Sequence, residues 1–410
     1  VNFLQPCYRG LQHFSFPEYS ENSGKCISLT LSTHDEWANG FGPVIRTDLL
    51  EENGIATPTT WDEVLDALAQ LKEIYPDSTP WAIRKGTANL LKTTSYMLGS
   101  GFGSVSASSG MYWDEDLGKY VYGPADTNFK EVLKFLNKAY TTGVLDQEYA
   151  STDSDSMTTK CSSGQSFFFV DNSGFGQNYT NELRKIDGNE NATFQVLPIP
   201  ENSLGERRAV SYDTRFGKLY AINANAKNKD QIIKFIDWMC SMEASGITNY
   251  GIEGETFQYN ADGEAEYISD YVKQFKDASP SDYYACWTDI GAGKLDFSMY
   301  ACNIKTQREI QMITGSWSDL TEDYWKIINE DDAYVQPHIA PSFTTEEADR
   351  VKELTTDLDT FFTQEYDKYI TGKESIDNWD ALIKKAEDMG VRELEQLWND
   401  AEARAVAETK

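Results

Sequence analysis

Residues 230–257 read DQIIKFIDWMCSMEASGITNYGIEGETF. The first part carries Ile232, Ile236 and Met239 at helical spacing, with Cys240 on the same apolar stripe, and predicts a helix running to Gly246. Then the pattern breaks. Gly251, Glu253, Gly254 and Glu255 crowd into five residues. Three chemistries use such punctuation: a carboxylate pair for acid/base work, a metal loop, or a tight turn that glycine alone makes cheap. The residues by themselves leave all three open.

The 410-residue chain exceeds what one compact core accommodates, so two or three domains are expected. Hydrophobic residues make up 40% and aromatics 13%, including 10 Trp and 23 Tyr, enough for large cores with aromatics to spare. Asp and Glu outnumber Lys and Arg by 66 to 36, a formal charge of −30. That balance repels phosphate backbones and anionic lipid, and argues against nucleic acid as a partner while leaving neutral ligands open. No run of about 18 apolar residues occurs. The opening VNFLQPCYRG has neither a charged nor an apolar leader region, so an export signal is expected to be absent or already removed. Six scattered cysteines without a CxxC read as free thiols.

Strands and helices alternate along the chain. GKCISLTL (24–31) reads as a strand ending in residues 26–31. PTTWDEVLDALAQLKEI (58–74) is a helix with a Thr60/Glu63 capping box and Val64, Leu65, Leu68, Leu71 and Ile74 on one face. MYWDEDLGKYVYG (111–123) predicts a hairpin with Trp113 on its surface, and Asp126 is the expected cap of a following helix closed by Gly143. SFFFV (166–170) is a continuous apolar run, as in a strand buried on both faces. FQVLPI (194–199) and GKLYAIN (217–223) read as further strands. From about residue 344 the chain is helical, starting with FTTEEADRVKELTTDLDTFF. The fold class is α/β with a helical C-terminal region.

No catalytic constellation emerges. His13, His34 and His338 lie far apart, and no pair has metal-ligand spacing. STDSDSM (151–157) opens like a calcium loop but lacks its turn glycine and closing glutamate, and reads as a solvated loop. GSGFGSVSASSG (99–110) has glycines but no phosphate-binding lysine. No cofactor, catalytic residue or metal site is expected. Among 66 acidic residues, a glycosidase carboxylate pair has no sequence signature of its own.

Several stretches resemble, in matching order, the extracellular solute-binding lipoproteins of ABC importers, the maltose-binding-protein-like family. They are IRTDLLEENGIATPTTWDEVLDAL (45–68), FKEVLKFLNKAYTTGVLDQE (129–148), DWMCSMEASGITNYGIEGETF (237–257) and YITGKESIDNWDALIKKAEDMGVRELEQLWNDA (369–401). NYGIEGE and the tail are the specific motifs. The resemblance settles the opening question for architecture: Gly251 and Gly254 let the chain reverse, with Glu253 and Glu255 expected to bond local amides. It implies a two-lobed, type II periplasmic-binding-protein-like fold. One lobe would hold 1–44 and 213–299, the other 45–212 and 300–410. Members of the family carry several βα units ahead of the strand matched by GKCISLTL, so the first lobe is expected to be truncated, with strand 26–31 left at an unpaired edge. Cys7 does not stand in a lipobox.

The implied function is capture of an oligosaccharide in an inter-lobe cleft and delivery to an ABC transporter permease. The protein would be a monomer, extracellular or periplasmic, and membrane-anchored in its full-length precursor. A secreted glycoside hydrolase using two carboxylates is the rival reading. Sugar sites combine aromatic platforms with Asp, Asn and Arg hydrogen-bonders beyond the carboxyl ends of strands. Three loops have that composition: STHDEWANG (32–40) with His34, Asp35 and Trp37; DNSGFG (171–176) with Asp171, Asn172 and Phe175; and SYDTRFG (211–217) with Tyr212, Asp213 and Arg215. Trp287 and Trp317, in segments read as irregular, complete the candidates, whereas Trp61, Trp238, Trp379 and Trp398 read as helix core or interface.

Overall fold

The computed structural model describes residues 28–31, 41–101, 110–209, 218–223, 225–239, 251–261, 263, 265–268, 270, 317–330, 333, 338 and 340–408. Its first elements are β1 (Ser28–Leu31), β2 (Phe41–Arg46), α1 (Thr47–Glu52), α2 (Trp61–Ile74) and α3 (Gly86–Thr94). Next come β3 (Met111–Asp114), β4 (Lys119–Tyr122), α4 (Phe129–Thr141), α5 (Ser154–Ser162), β5 (Phe168–Asn172), α6 (Phe175–Leu183) and β6 (Phe194–Val196). The rest are β7 (Lys218–Ala221), α7 (Lys229–Met239), β8 (Phe257–Tyr259), β9 (Ala265–Tyr267), α8 (Trp317–Glu330), α9 (Thr345–Ile370), α10 (Trp379–Asp388) and α11 (Val391–Glu408). They fall into two compact units, Val1–Trp37 with Asp213–Asp319 and Ala38–Tyr212 with Leu320–Lys410.

The second unit is built on a sheet whose central strand, β2, runs antiparallel to β5 on one side and β6 on the other. The extended segment around Trp81 continues the sheet beyond β5, bridging in parallel to Phe168 and, on its other side, to Leu145. β5, β6, 80–82 and 144–146 therefore run the same way, and their carboxyl ends share one edge. Both faces of the sheet are covered. Ile45, Phe168 and Val170 enter a core with Leu68 and Leu71 of α2, Leu133 and Leu136 of α4, and Leu358 and Phe362 of α9. Their neighbours Val44, Phe169 and Phe194 turn the other way, onto Tyr179 and Leu183 of α6 and Tyr324 and Ile328 of α8. Strand residues alternate between two apolar layers, which is why Phe168, Phe169 and Val170 are all apolar; the strand itself begins at Phe168 and runs to Asn172, two residues later than SFFFV suggests.

Local signals account for most helix boundaries. Thr60 Oγ1 accepts from the Glu63 amide at 3.2 Å while the Glu63 carboxylate accepts from the Thr60 amide at 3.3 Å, and the same box forms between Thr344 and Glu347 at the start of α9. Ile74, expected on the apolar stripe of α2, is 46% exposed because the helix ends there. Asp126 does not cap α4. Asn128 holds the cap position without a side-chain bond, and Asp126 instead accepts from the Asn128 amide and from Ser100 Oγ. Residues 151–157, expected to be a loop, contain the start of α5, whose first turn Asp153 caps through the Ser156 amide at 2.8 Å.

The C-terminal helices clamp the β3–β4 hairpin. Asn399 of α11 treats the backbone of Tyr120 as a neighbouring strand would, accepting its amide at 2.8 Å and donating to its carbonyl at 2.9 Å. Trp113, expected on the surface, is half-buried and stacks on the His338 ring with centroids 3.9 Å apart. Trp61 and Trp379 lie in the core.

In the first unit β1 pairs antiparallel with β7, Ser28 opposite Ala221, so the strand has a partner along one side. Gly251 and Gly254 adopt φ of 89° and 82°, the left-handed region expected of them. The turn is held by the Gly254 amide on the Phe257 carbonyl at 2.8 Å and by Thr256 Oγ1, which accepts from the Ile252 amide at 2.8 Å. Glu253 and Glu255 are exposed, and the short threonine side chain does the bonding assigned to them. Trp238, expected in a core or an interface, is 37% exposed on α7, its ring 5.8 Å from that of Phe235.

Candidate functional site

The carboxyl edge of the parallel strands brings together residues from two distant segments. β5 ends at Asp171 and Asn172 and passes through Ser173 and Gly174 into α6, which starts at Phe175. Asn172 Oδ1 accepts from the Gly174 amide at 3.1 Å and so shapes this turn. On the adjoining strand, Ile83 leads to Arg84 before α3 begins. The two strand ends meet in an ion pair. Arg84 Nε donates to Asp171 Oδ2 at 2.8 Å and Nη2 to Oδ1 at 2.6 Å, the two-pronged geometry that fits guanidinium to carboxylate.

Further groups fix the pair. Asn89 Nδ2, one turn into α3, donates to Asp171 Oδ2 at 3.2 Å, and the Asn172 amide donates to Oδ1 at 2.7 Å. The Asp171 side chain is 2% exposed and that of Arg84 15%. The guanidinium carbon lies 5.1 Å from the centre of the Phe175 ring, within the range of a cation–π contact. Phe175, Asn172 and Asn89 are half-buried. A second buried pair lies at the end of the next parallel segment, where Lys160 Nζ of α5 meets Asp146 Oδ2 at 2.5 Å.

Of the candidate residues named from the sequence, Asp171, Asn172 and Phe175 fall together here. Asp171 has its carboxylate occupied by Arg84, Asn89 and the backbone. Trp317 is the first residue of α8 rather than part of an irregular segment. His34, Asp35, Trp37, Tyr212, Asp213, Arg215 and Trp287 lie outside the described residues. Sequence reasoning missed Arg84, Asn89 and the Lys160–Asp146 pair. The signal available for Arg84 was the apolar triplet Trp81-Ala82-Ile83 running into Arg-Lys-Gly, a short strand ending in a charged turn. Among the described residues, no group of three or more His, Cys, Asp or Glu is arranged to hold a metal ion.

The profile of the bacterial extracellular solute-binding protein family matches residues 27–245. The polygalacturonan/rhamnogalacturonan-binding protein YtcQ of Bacillus subtilis is 22% identical over 366 residues, covering 88% of this chain and 67% of that protein. The fructooligosaccharide ABC transporter substrate-binding protein FusA of Streptococcus pneumoniae is 22% identical over 360 residues, covering 85% of this chain and 62% of that one. This chain thus spans about two thirds or less of the length of the curated relatives it matches. Among solved structures, the alginate-binding protein AlgQ2 without calcium superposes with a TM-score of 0.70 at 18% identity, over 91% of this chain and 74% of that one. The likeness shows the fold: type II periplasmic-binding-protein-like, α/β, with a helical C-terminal region.

Proposed function

The chain belongs to the family of bacterial extracellular solute-binding proteins, and on that premise we propose that it captures an oligosaccharide and delivers it to the permease of an ABC transporter. The observation that carries this reading is the cluster at the carboxyl edge of the parallel strands, where a half-buried aromatic ring, two half-buried asparagines and a braced arginine lie together. In open α/β sheets that edge is where ligands bind. Sugars present apolar CH faces and a belt of hydroxyls, which an aromatic ring and planar amide and guanidinium donors match.

In this reading Phe175 is the platform, Asn172 and Asn89 bond hydroxyls, and Asp171 serves by bracing Arg84. His34, Asp35, Trp37, Tyr212, Asp213, Arg215, Trp287 and Trp317 are the further proposed contacts. The protein acts as a non-catalytic monomer outside the cytoplasmic membrane, anchored as a lipoprotein in its full-length form. The names of its relatives, which bind polygalacturonan and fructooligosaccharide, support a carbohydrate ligand. Thermal unfolding against a panel of oligosaccharides tests the reading. A true ligand at 100 times its Kd adds about 2.7 kcal/mol of stability, and a panel without any stabilising sugar would sink it.

A further inference from the structure

Among the described residues, the two largely buried cations at these strand ends are neutralised from within. Arg84 is matched by Asp171 through two short bonds, and Lys160 by Asp146, with both carboxylates all but buried. An acidic sugar at this edge would need a cation whose charge is still available. To use Arg84 it would have to compete with a carboxylate already seated at 2.6 Å and braced by Asn89 and the Asn172 amide. Lys85, the next residue, is exposed, so its ammonium keeps its hydration and a pairing there would be worth little. The chain's formal charge of −30 adds a long-range penalty for a polyanion, screened beyond about 8 Å at physiological salt.

We infer that the ligand read at this edge is an uncharged oligosaccharide, and that Asp171 is the positioning residue that sets this preference by neutralising Arg84. The inference rests on the carbohydrate-capture reading and deepens it. Asp171 holds the guanidinium carbon 5.1 Å from the centre of the Phe175 ring, beside the half-buried asparagines, while cancelling the charge that would draw a uronate carboxylate. Replacing Asp171 by Asn would leave the arginine's charge unbalanced and set a side-chain NH2, itself a donor, against two of the present donors.

The test is calorimetric titration of the full chain, at low and physiological salt. One panel contains neutral tri- to pentasaccharides of fructose, glucose, galactose and mannose; the other contains tri- and tetragalacturonates. Expected is a neutral ligand bound at least about tenfold more tightly than either galacturonate, a difference of about 1.4 kcal/mol, with an affinity nearly indifferent to salt. Asp171→Asn should shift the neutral-to-acidic ratio by about tenfold toward the acidic sugars, with the gain lost at high salt. Wild-type protein that binds galacturonates more tightly, in a salt-dependent manner, overturns the inference and leaves carbohydrate capture standing. An unchanged ratio in a folded Asp171→Asn overturns the role of Asp171. If that variant does not fold, the wild-type comparison still decides the ligand's charge. Failure of both panels to bind removes the capture reading and the inference together.

Discussion

The ring of Tyr324 lies against the backbone of Gly42 so closely that a Cβ on that glycine would fall 2.1 Å from Cε2. α8 can approach β2 this near only because residue 42 has no side chain. Gly42→Ala is therefore expected to destabilise the second unit by about 2–3 kcal/mol, the upper range for overpacking a core. Gly42→Ala/Tyr324→Leu should recover most of that loss in urea unfolding. A single variant with the wild-type midpoint would place α8 elsewhere.

The two glycines of NYGIEGE separate backbone strain from crowding. Both have positive φ, but a Cβ at Gly254 meets open space, whereas one at Gly251 would lie 2.4 Å from Thr256 Oγ1. Gly254→Ala should cost about 1 kcal/mol from conformation alone, and Gly251→Ala clearly more. Gly254→Val should exceed 1 kcal/mol because a β-branched residue fits that region poorly. Equal urea midpoints for Gly251→Ala and Gly254→Ala would contradict the crowding.

Breaking the Arg84–Asp171 pair from one side should be costly. Arg84→Met leaves a buried carboxylate unmatched, and about 3–5 kcal/mol is the usual loss. Arg84→Met/Asp171→Leu should regain at least half of it while failing to bind any sugar that the wild type binds. A double variant no more stable than the single one would mean that the pair's partners, not the pair, set the cost.

Asp359 supplies a pH signature. Burial pushes its pKa up to about 6, despite the Tyr122 hydroxyl donating to it at 3.3 Å. An unfolded aspartate titrates near 3.9, so between those values the folded state holds a proton that the unfolded state has lost. The stability this contributes is full below about pH 4 and is lost as pH rises through about 6. Against Asp359→Asn, the wild type should fall in relative stability across that window. Parallel urea midpoints at pH 4, 5 and 7 would refute the raised pKa.

α7 leaves Ile233, Phe235 and Trp238 between 37% and 55% exposed, whereas α4 buries Phe129, Val132, Leu133 and Leu136 completely or nearly so. Amides of α7 should accordingly exchange hydrogen faster than those of α4 and α9, since local opening there exposes less new apolar surface. Equal protection across the three helices in the 410-residue chain would count against this.

The sequence alone determined what depends on neighbours within a few residues. The Thr60/Glu63 box and the doubly buried strand in SFFFV were legible, because capping and face alternation are local or periodic, whereas the glycine turn of NYGIEGE needed the family resemblance to separate it from a carboxylate or metal site. It also marked DNSGFG as the segment where a strand gives way to a loop, but β5 runs on through Asn172 and α6 already begins at Phe175, which leaves only Ser173 and Gly174 between them. Tertiary structure alone decided what Asp171 does there. Arg84 lies 87 residues away, and only the register of parallel strands across the sheet carries it to the same edge. An isolated aspartate after a strand reads as a ligand contact. Once a guanidinium stands 2.6 Å away, the low-dielectric interior binds the two charges to each other, and the carboxylate becomes part of the scaffold.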